Sequence, residues 1–279
     1  MNVAIVGIGL IGGSIGLEIK NNGFCSHIIG VDTNLKHQKK ALELGVIDSI
    51  QSLEEAIKAS SLVILSTPVN VTSKIILSVL DLIDDQVIMD VGSTKSKLIN
   101  QISNHPKRKN FVATHPIAGT EFSGPEAAHI GLFKNKVTII CDQIDSSKLA
   151  LNTVFKLYDS IGAKTIFMSS QDHDIHSAYV SHISHISSFS LALSVMDKEK
   201  DEKNILNMAG SGFESTVRLA KSNKEMWTPI FSENKNNILE VLENYISKLN
   251  DFKQAIESDN SERLNSLIKE ANGIRKILK

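Results

Sequence analysis

The chain has 279 residues, 42% hydrophobic and 22% charged, with a formal net charge of -1 at pH 7. This is the composition of an ordered globular protein long enough for two cores, and it excludes a disordered chain. A near-neutral chain lacks the basic excess needed to neutralise many phosphates, so no nucleic-acid partner is expected and small molecules are the expected ligands.

Cys25 and Cys141 are the only cysteines. Far apart and outside any CxxC pattern, they suggest neither a disulfide framework nor a zinc site, and they fit a cytoplasmic, reducing compartment. The chain opens directly into a strand-like run, and no apolar stretch approaches membrane-spanning length. Neither a secretory leader nor a membrane partner is expected.

Val3-Ala4-Ile5-Val6 is a short apolar run rich in β-branched residues, followed at once by Gly7-Ile8-Gly9-Leu10-Ile11-Gly12-Gly13-Ser14 and a helical pattern through Leu17 and Ile19. Gly7, Gly9 and Gly12 fit the GxGxxG spacing. The first makes the tight turn, the second lets backbone approach a pyrophosphate, and the third packs helix against strand. The helix that opens at Leu10 and Ile11 would hold the phosphates at its N-terminus. A second run, His27 to Val31, ends in Asp32, where an acid meets the adenosine ribose. Thr33 and Asn34 follow rather than arginine, which favours a ribose diol over a 2'-phosphate and NAD over NADP.

Further strand-like runs lie at Leu62 to Ser66, Val87 to Val91, Phe111 to Ala113, Val137 to Cys141 and Lys164 to Met168. Helical patterns such as Val71 to Ile83 and Ser147 to Ile161 separate most of them. The alternation predicts an α/β fold with parallel strands and crossover helices, a doubly wound sheet of Rossmann type. Ser66-Thr67-Pro68-Val69 and Asp90-Val91-Gly92-Ser93-Thr94-Lys95 lie just past two of these strands, on the same edge as the glycine turn. Ser66, Thr67 and Pro68 are therefore candidate cofactor contacts.

His115 sits just past the run Phe111 to Ala113, where such a sheet gathers cofactor and substrate. An imidazole near neutral pKa suits the oxidation of an alcohol, because it can accept the hydroxyl proton at cellular pH. Ser93 can either cap the next helix or hydrogen-bond a catalytic group. Lys95 can neutralise a carboxylate or stand in solvent.

After Met168 the strands cease, and Gln171 to Met196 reads as one long helix with apolar positions at Ile175, Tyr179, Ile183, Ile186, Phe189 and Leu193. The change of period divides the chain into a nucleotide-binding domain, 1–169, and an all-α domain, 170–279. His182 and His185 share a helical face, but no acidic residue stands near enough to complete a metal set, so no metal is expected.

Gly7 to Ser14, Asp90 to Lys95 and His115-Pro116-Ile117-Ala118-Gly119-Thr120-Glu121-Phe122-Ser123-Gly124 together resemble the prephenate and arogenate dehydrogenase family of tyrosine biosynthesis. The resemblance continues through Ser181-His182-Ile183-Ser184-His185, Gly212 to Arg218 and Met226-Trp227. It implies NAD-dependent oxidative decarboxylation of prephenate, or of arogenate. His115 would accept a hydrogen bond from the ring hydroxyl, and Ser93 would orient that histidine. Arg218 would bind a substrate carboxylate through its forked guanidinium. It also places His182, His185, Thr120 and Glu121 on the substrate. Glu214 and Ser215 stand where prephenate-type chains often carry a basic residue and an aspartate, so the keto-acid and amino-acid substrates both stay open. A catalytically silent NAD-binding redox sensor is the reading from another class.

From Trp227 on, Phe231, Ile238, Leu242, Tyr245, Leu249, Phe252 and Ile256 form one apolar stripe, and Leu264, Leu267, Ile268, Ala271, Ile274 and Leu278 a second. Two such helices exceed what one small domain buries, so a homodimer through the C-terminal helices is expected, in line with the resemblance.

Overall fold

The fold is described from a computed structural model covering residues 1–202 and 204–277; Leu278 of the second apolar stripe lies outside them. In chain order the elements begin β1 (Asn2–Val6), α1 (Leu10–Asn21), β2 (His27–Val31), α2 (Leu35–Glu43), β3 (Ser49–Ile50) and α3 (Leu53–Lys58). Next come β4 (Leu62–Leu65), α4 (Val69–Leu82), β5 (Val87–Asp90), α5 (Ser96–Ile102), β6 (Phe111–Pro116), β7 (Val137–Cys141), α6 (Lys148–Ser160) and β8 (Lys164–Met168). The remaining helices are α7 (Ser170–Ser177), α8 (Ile183–Asp201), α9 (Ser211–Val217), α10 (Lys224–Glu233), α11 (Lys235–Glu257) and α12 (Ser261–Ala271).

The strands form one eight-stranded sheet in the order β3-β2-β1-β4-β5-β6-β7-β8. The runs of β1, β4, β5 and β6 are buried on both faces and continuously apolar at their centres, as parallel strands require, while β8 at the edge is largely exposed. Val3, Ile5, Ile64 and Met89 face a core shared with Ile15 and Ile19 of α1 and Val154 and Leu157 of α6. Their strand neighbours Ala4, Val6, Val63, Leu65 and Ile88 pack on the other side with α3, α4 and α5. The chain leaves β1 outward to β2 and β3, then returns to β4 on β1's other flank. That reversal opens a crevice at the carboxyl edge between β1 and β4.

Two expectations need correction. β7 runs antiparallel to β6, not parallel. The segment between them holds a short 3-10 turn at Pro125–Ala127 but no α-helix to carry the chain back across the sheet. It therefore re-enters from the edge at which β6 leaves. This pairing also lengthens β6: Ala113 is the last partner of β5, but His115 pairs with Ile139 and Pro116 with Thr138. His115 is thus inside a strand, near its end, rather than beyond it.

The long helix expected from Gln171 is interrupted. Between α7 and α8 the backbone takes π-helical form over Ala178–His182, a local widening common where side chains are re-aimed at functional sites. The helix buries the face opposite to its apolar stripe: Ile175, Tyr179 and Leu193 are exposed, while His173, Asp174, Ser177, His182, His185 and Ser188 are buried.

By internal contacts Met1–Asn234 form one compact unit and the residues from Lys235 a second. In the first unit α7 lies against α5, and α10 against α4. In the second unit α12 lies against α11 with Ala255 and Leu267 buried. Asn260 caps α12 by accepting from the Arg263 amide. Half of the described positions of the two stripes are exposed in a single chain, including Leu249, Ile256, Ile268 and Ile274.

Candidate active site

The glycine turn is built for close approach. Gly7 has φ +92°, and a Cβ there would meet the Ser66 carbonyl oxygen at 2.7 Å. A Cβ on Gly12 would lie 2.2 Å from Ser66 Oγ and 2.4 Å from the Gly7 carbonyl oxygen. The Ser66 hydroxyl donates to the Gly7 carbonyl at 2.6 Å, so Ser66 ties the turn to the end of β4. Thr67 Oγ1 lies 2.8 Å from Thr72 Oγ1 on α4, and Pro68 is that helix's N-cap.

This crevice fits a dinucleotide. α1 begins at Gly9 with no side-chain cap and no acid in its first turn, so the amides of Leu10, Ile11 and Gly12 keep their hydrogen-bonding capacity for an anion. Space around a Cβ at Gly9 is open. Asp32 is held ready: its Oδ2 accepts from the Ile8 amide at 2.9 Å and its Oδ1 from the Asn34 amide at 2.8 Å.

On the far side of β4, Lys95 and Asp90 form an ion pair with side-chain exposures of 0% and 1%. Of the two alternatives for Lys95, the structure selects the buried one. The carboxylate also accepts from the Gly92 amide at 2.9 Å and the Thr114 amide at 3.3 Å. Burial pushes the Asp90 pKa up, against the pull of Lys95 and these amides.

Next to it, His115 Nδ1 lies 2.8 Å from His173 Nε2, and His173 Nδ1 lies 2.8 Å from Asp174 Oδ1. Asp174 further accepts from the amides of Lys95 and Ser96, each at 2.8 Å. Burial alone would raise the Asp174 pKa, but the hydrogen bonds from His173 and these amides outweigh it and lower it. The His115 pKa is lowered well below 6.5 by burial, with His173, Lys95 and His182 adding to the effect. Its ring is therefore neutral, a free base, at neutral pH.

His182 is packed under this group. Asn234 Nδ2 reaches both the Asp174 carbonyl at 2.7 Å and His182 Nδ1 at 3.1 Å. Burial, with His173 and His185 assisting against Asp174, brings the His182 pKa down to about 4. His185 stacks on Trp227 with centroids 3.4 Å apart, and its Nδ1 bonds the Ser181 carbonyl at 3.0 Å. Burial, with Arg218 adding, lowers its pKa too.

Other candidate residues stand farther from this cluster's hydrogen bonds. Ser93 is partly exposed and, among the described residues, makes no hydrogen bond; the Nδ1 partner of His115 is His173. Thr120 is exposed, and its hydroxyl accepts from the Phe122 amide at 3.3 Å. Glu121 faces the exposed Arg218 across 4.0 Å. Glu214 is exposed on α9. His173, Asp174 and Asn234 escaped sequence reasoning; the one signal for His173 and Asp174 is the polar face that they share with Ser177, His182 and His185, and Asn234, at the end of α10, carries none.

Comparison with known proteins identifies the family. Residues 15–167 match the prephenate dehydrogenase nucleotide-binding domain, and residues 169–270 match the prephenate dehydrogenase dimerization domain. The chain belongs to the prephenate dehydrogenase family. Within the family, it is 33% identical to the prephenate dehydrogenase of Bacillus subtilis over 98% of this chain and 75% of that protein. A crystal structure of prephenate dehydrogenase from A. aeolicus, in complex with hydroxyphenyl propionate and NAD+, superposes with a TM-score of 0.91 at 32% identity, covering 100% of this chain and 98% of that one. Synechocystis arogenate dehydrogenase gives 0.80 at 25% identity, covering 100% of both chains.

Proposed function

We propose that this protein catalyses the NAD-dependent oxidative decarboxylation of prephenate to 4-hydroxyphenylpyruvate, a step of tyrosine biosynthesis. The observation that carries this reading is the His115 imidazole near the carboxyl end of β6, hydrogen-bonded to a buried His173–Asp174 pair. Family membership and the names of the relatives support the substrate.

The turn at Gly7, Gly9 and Gly12, the amides of Leu10 and Ile11, and the Asp32 carboxylate would hold NAD, with Ser66, Thr67 and Pro68 lining the β4 side. NAD supplies the hydride acceptor when bound. His115 takes the proton of the ring hydroxyl as the carbon beneath it is oxidised. Loss of the ring carboxylate then restores aromaticity and leaves a phenolate, to which His115 returns the same proton. No net proton is consumed, so His115 need not exchange a proton with solvent in the cycle. Arg218 receives a substrate carboxylate, with Ser93, Thr120, Glu121, His182 and His185 bordering the substrate. Holding these groups in register can lower a barrier by roughly 7 to 11 kcal/mol at best.

Residues 170–279 serve as the substrate and dimerisation domain, and residues 1–169 hold the cofactor. The apolar side chains left open in one chain, Tyr179, Val180, Leu193 and Met196 among them, support a homodimer. A monomeric mass by light scattering would reject it. No helix among the described residues is long and apolar enough to cross a membrane, and the two buried free thiols fit a cytoplasmic location.

NAD reduction by the purified protein with prephenate and with arogenate tests the reading. A preference for prephenate supports it. A preference for arogenate keeps the His115 chemistry and assigns recognition of the amine to Glu214. Silence with both leaves a redox sensor.

A further inference from the structure

Acceptor-only atoms at the ends of two hydrogen-bond chains determine where the ring protons sit. Asp174 Oδ1 accepts from His173 Nδ1 and from the Lys95 amide, and Oδ2 accepts from the Ser96 amide. An ionised carboxylate has no hydrogen to give, so His173 Nδ1 carries one. With that hydrogen as the ring's one N–H, Nε2 of His173 is bare, and the group 2.8 Å from it is His115 Nδ1. That nitrogen must be the N–H, which leaves the lone pair of His115 on Nε2.

We propose that His173 and Asp174 are positioning residues that hold His115 as its Nδ1–H tautomer, so that Nε2 is the atom receiving the substrate's hydroxyl proton. The substrate's part in this rests on the function proposed above. When Nε2 is protonated, both Nδ1–H bonds stay in place and no proton moves along the chain. The new positive charge is balanced through His173 by Asp174. The other groups facing His115 are Lys95, whose charge is paired with Asp90, and His182.

His182 is held in the opposite state. The atom of Asn234 that lies 2.7 Å from the Asp174 carbonyl has to be its amino group, because a carbonyl only accepts. The same amino group lies 3.1 Å from His182 Nδ1. Having no lone pair to offer, it must donate there, so the His182 proton is on Nε2. One histidine keeps an acceptor at Nε2 and the other a donor.

Nitrogen-15 NMR of histidine-labelled protein without cofactor reads the tautomers directly, with His115 assigned by the signals lost in His115→Ala. The expected result is Nδ1–H for His115 and Nε2–H for His182. An Nε2–H His115 in the wild type, as a doubly protonated His173 would impose, overturns the proposal whatever the enzyme's substrate. Asp174→Asn removes the charge that balances a protonated His115, and its amide can keep an oxygen on His173 Nδ1 only by turning its amino group on the Ser96 amide. With prephenate its kcat should fall roughly 10²- to 10⁴-fold while KM changes little. Wild-type kcat in a folded Asp174→Asn protein also overturns the proposal. If that variant does not fold, the wild-type spectrum alone decides. An Nδ1–H His115 in a protein inert toward prephenate and arogenate would instead sink the proposed function.

Discussion

Asp90 and Lys95, five residues apart along the chain, meet in an ion pair from which solvent is excluded. The pair anchors the loop after β5, and the Lys95 amide within that loop donates to Asp174. Structural and catalytic groups are thereby joined. Breaking such a pair strands the remaining charge in the interior. Asp90→Ala should therefore destabilise the fold by about 3 to 5 kcal/mol, read as a lowered urea midpoint. An unchanged midpoint would mean that Lys95 finds water or another partner.

Replacing His115 separates chemistry from binding. His115→Ala should lower turnover by roughly 10²- to 10⁴-fold, the usual cost of losing a general base. NAD affinity, measured by titration, should stay at the wild-type level, because Asp32 and the glycine turn lie on other strands. Turnover close to wild type would remove His115 from the reaction.

The glycines of the turn should respond differently to the same change. Gly12→Ala forces a Cβ against Ser66 Oγ and the Gly7 carbonyl, and overpacking of this kind costs about 1 to 3 kcal/mol. Gly9→Ala meets no protein atom within 4 Å, so its thermal midpoint should be unchanged while NAD binding weakens. Equal loss of stability in both variants would contradict the close packing described for Gly12.

Acid should loosen the fold in a defined window. His182 has a folded pKa of about 4 against 6.5 in a model peptide. Between these values the unfolded chain binds a proton that the folded chain refuses. The contribution is complete above pH 6.5 and lost as pH falls toward 4, at up to about 3 kcal/mol. His115 and His185 act in the same direction, since both are also lowered. Urea midpoints measured across this range should fall with pH, and more shallowly in His182→Gln. Parallel slopes would show that His182 takes up its proton without unfolding.

The cofactor half was legible because its signals are local. The close contact at Gly12 and the positive φ at Gly7 each demand glycine in place. Asp32 follows its strand directly, and each apolar run is long enough for a strand buried on both faces. The direction of β7 was not legible. Val137 to Cys141 reads alike in either orientation, and the absence of a crossover helix ahead of it decides the matter.

The sequence by itself determined the doubly wound sheet, the dinucleotide turn and the motif that carries His115, since these depend on residues close together in the chain. Tertiary structure alone decided what the polar groups pair with. His173 and Asp174 lie mid-way along a short polar helix, where a sequence reader expects solvent, yet they are buried by partners 58 and 79 residues away, His115 and Lys95. Burial of a polar residue is decided by the donor or acceptor waiting for it. That partner is set by how distant segments pack, which periodicity does not record.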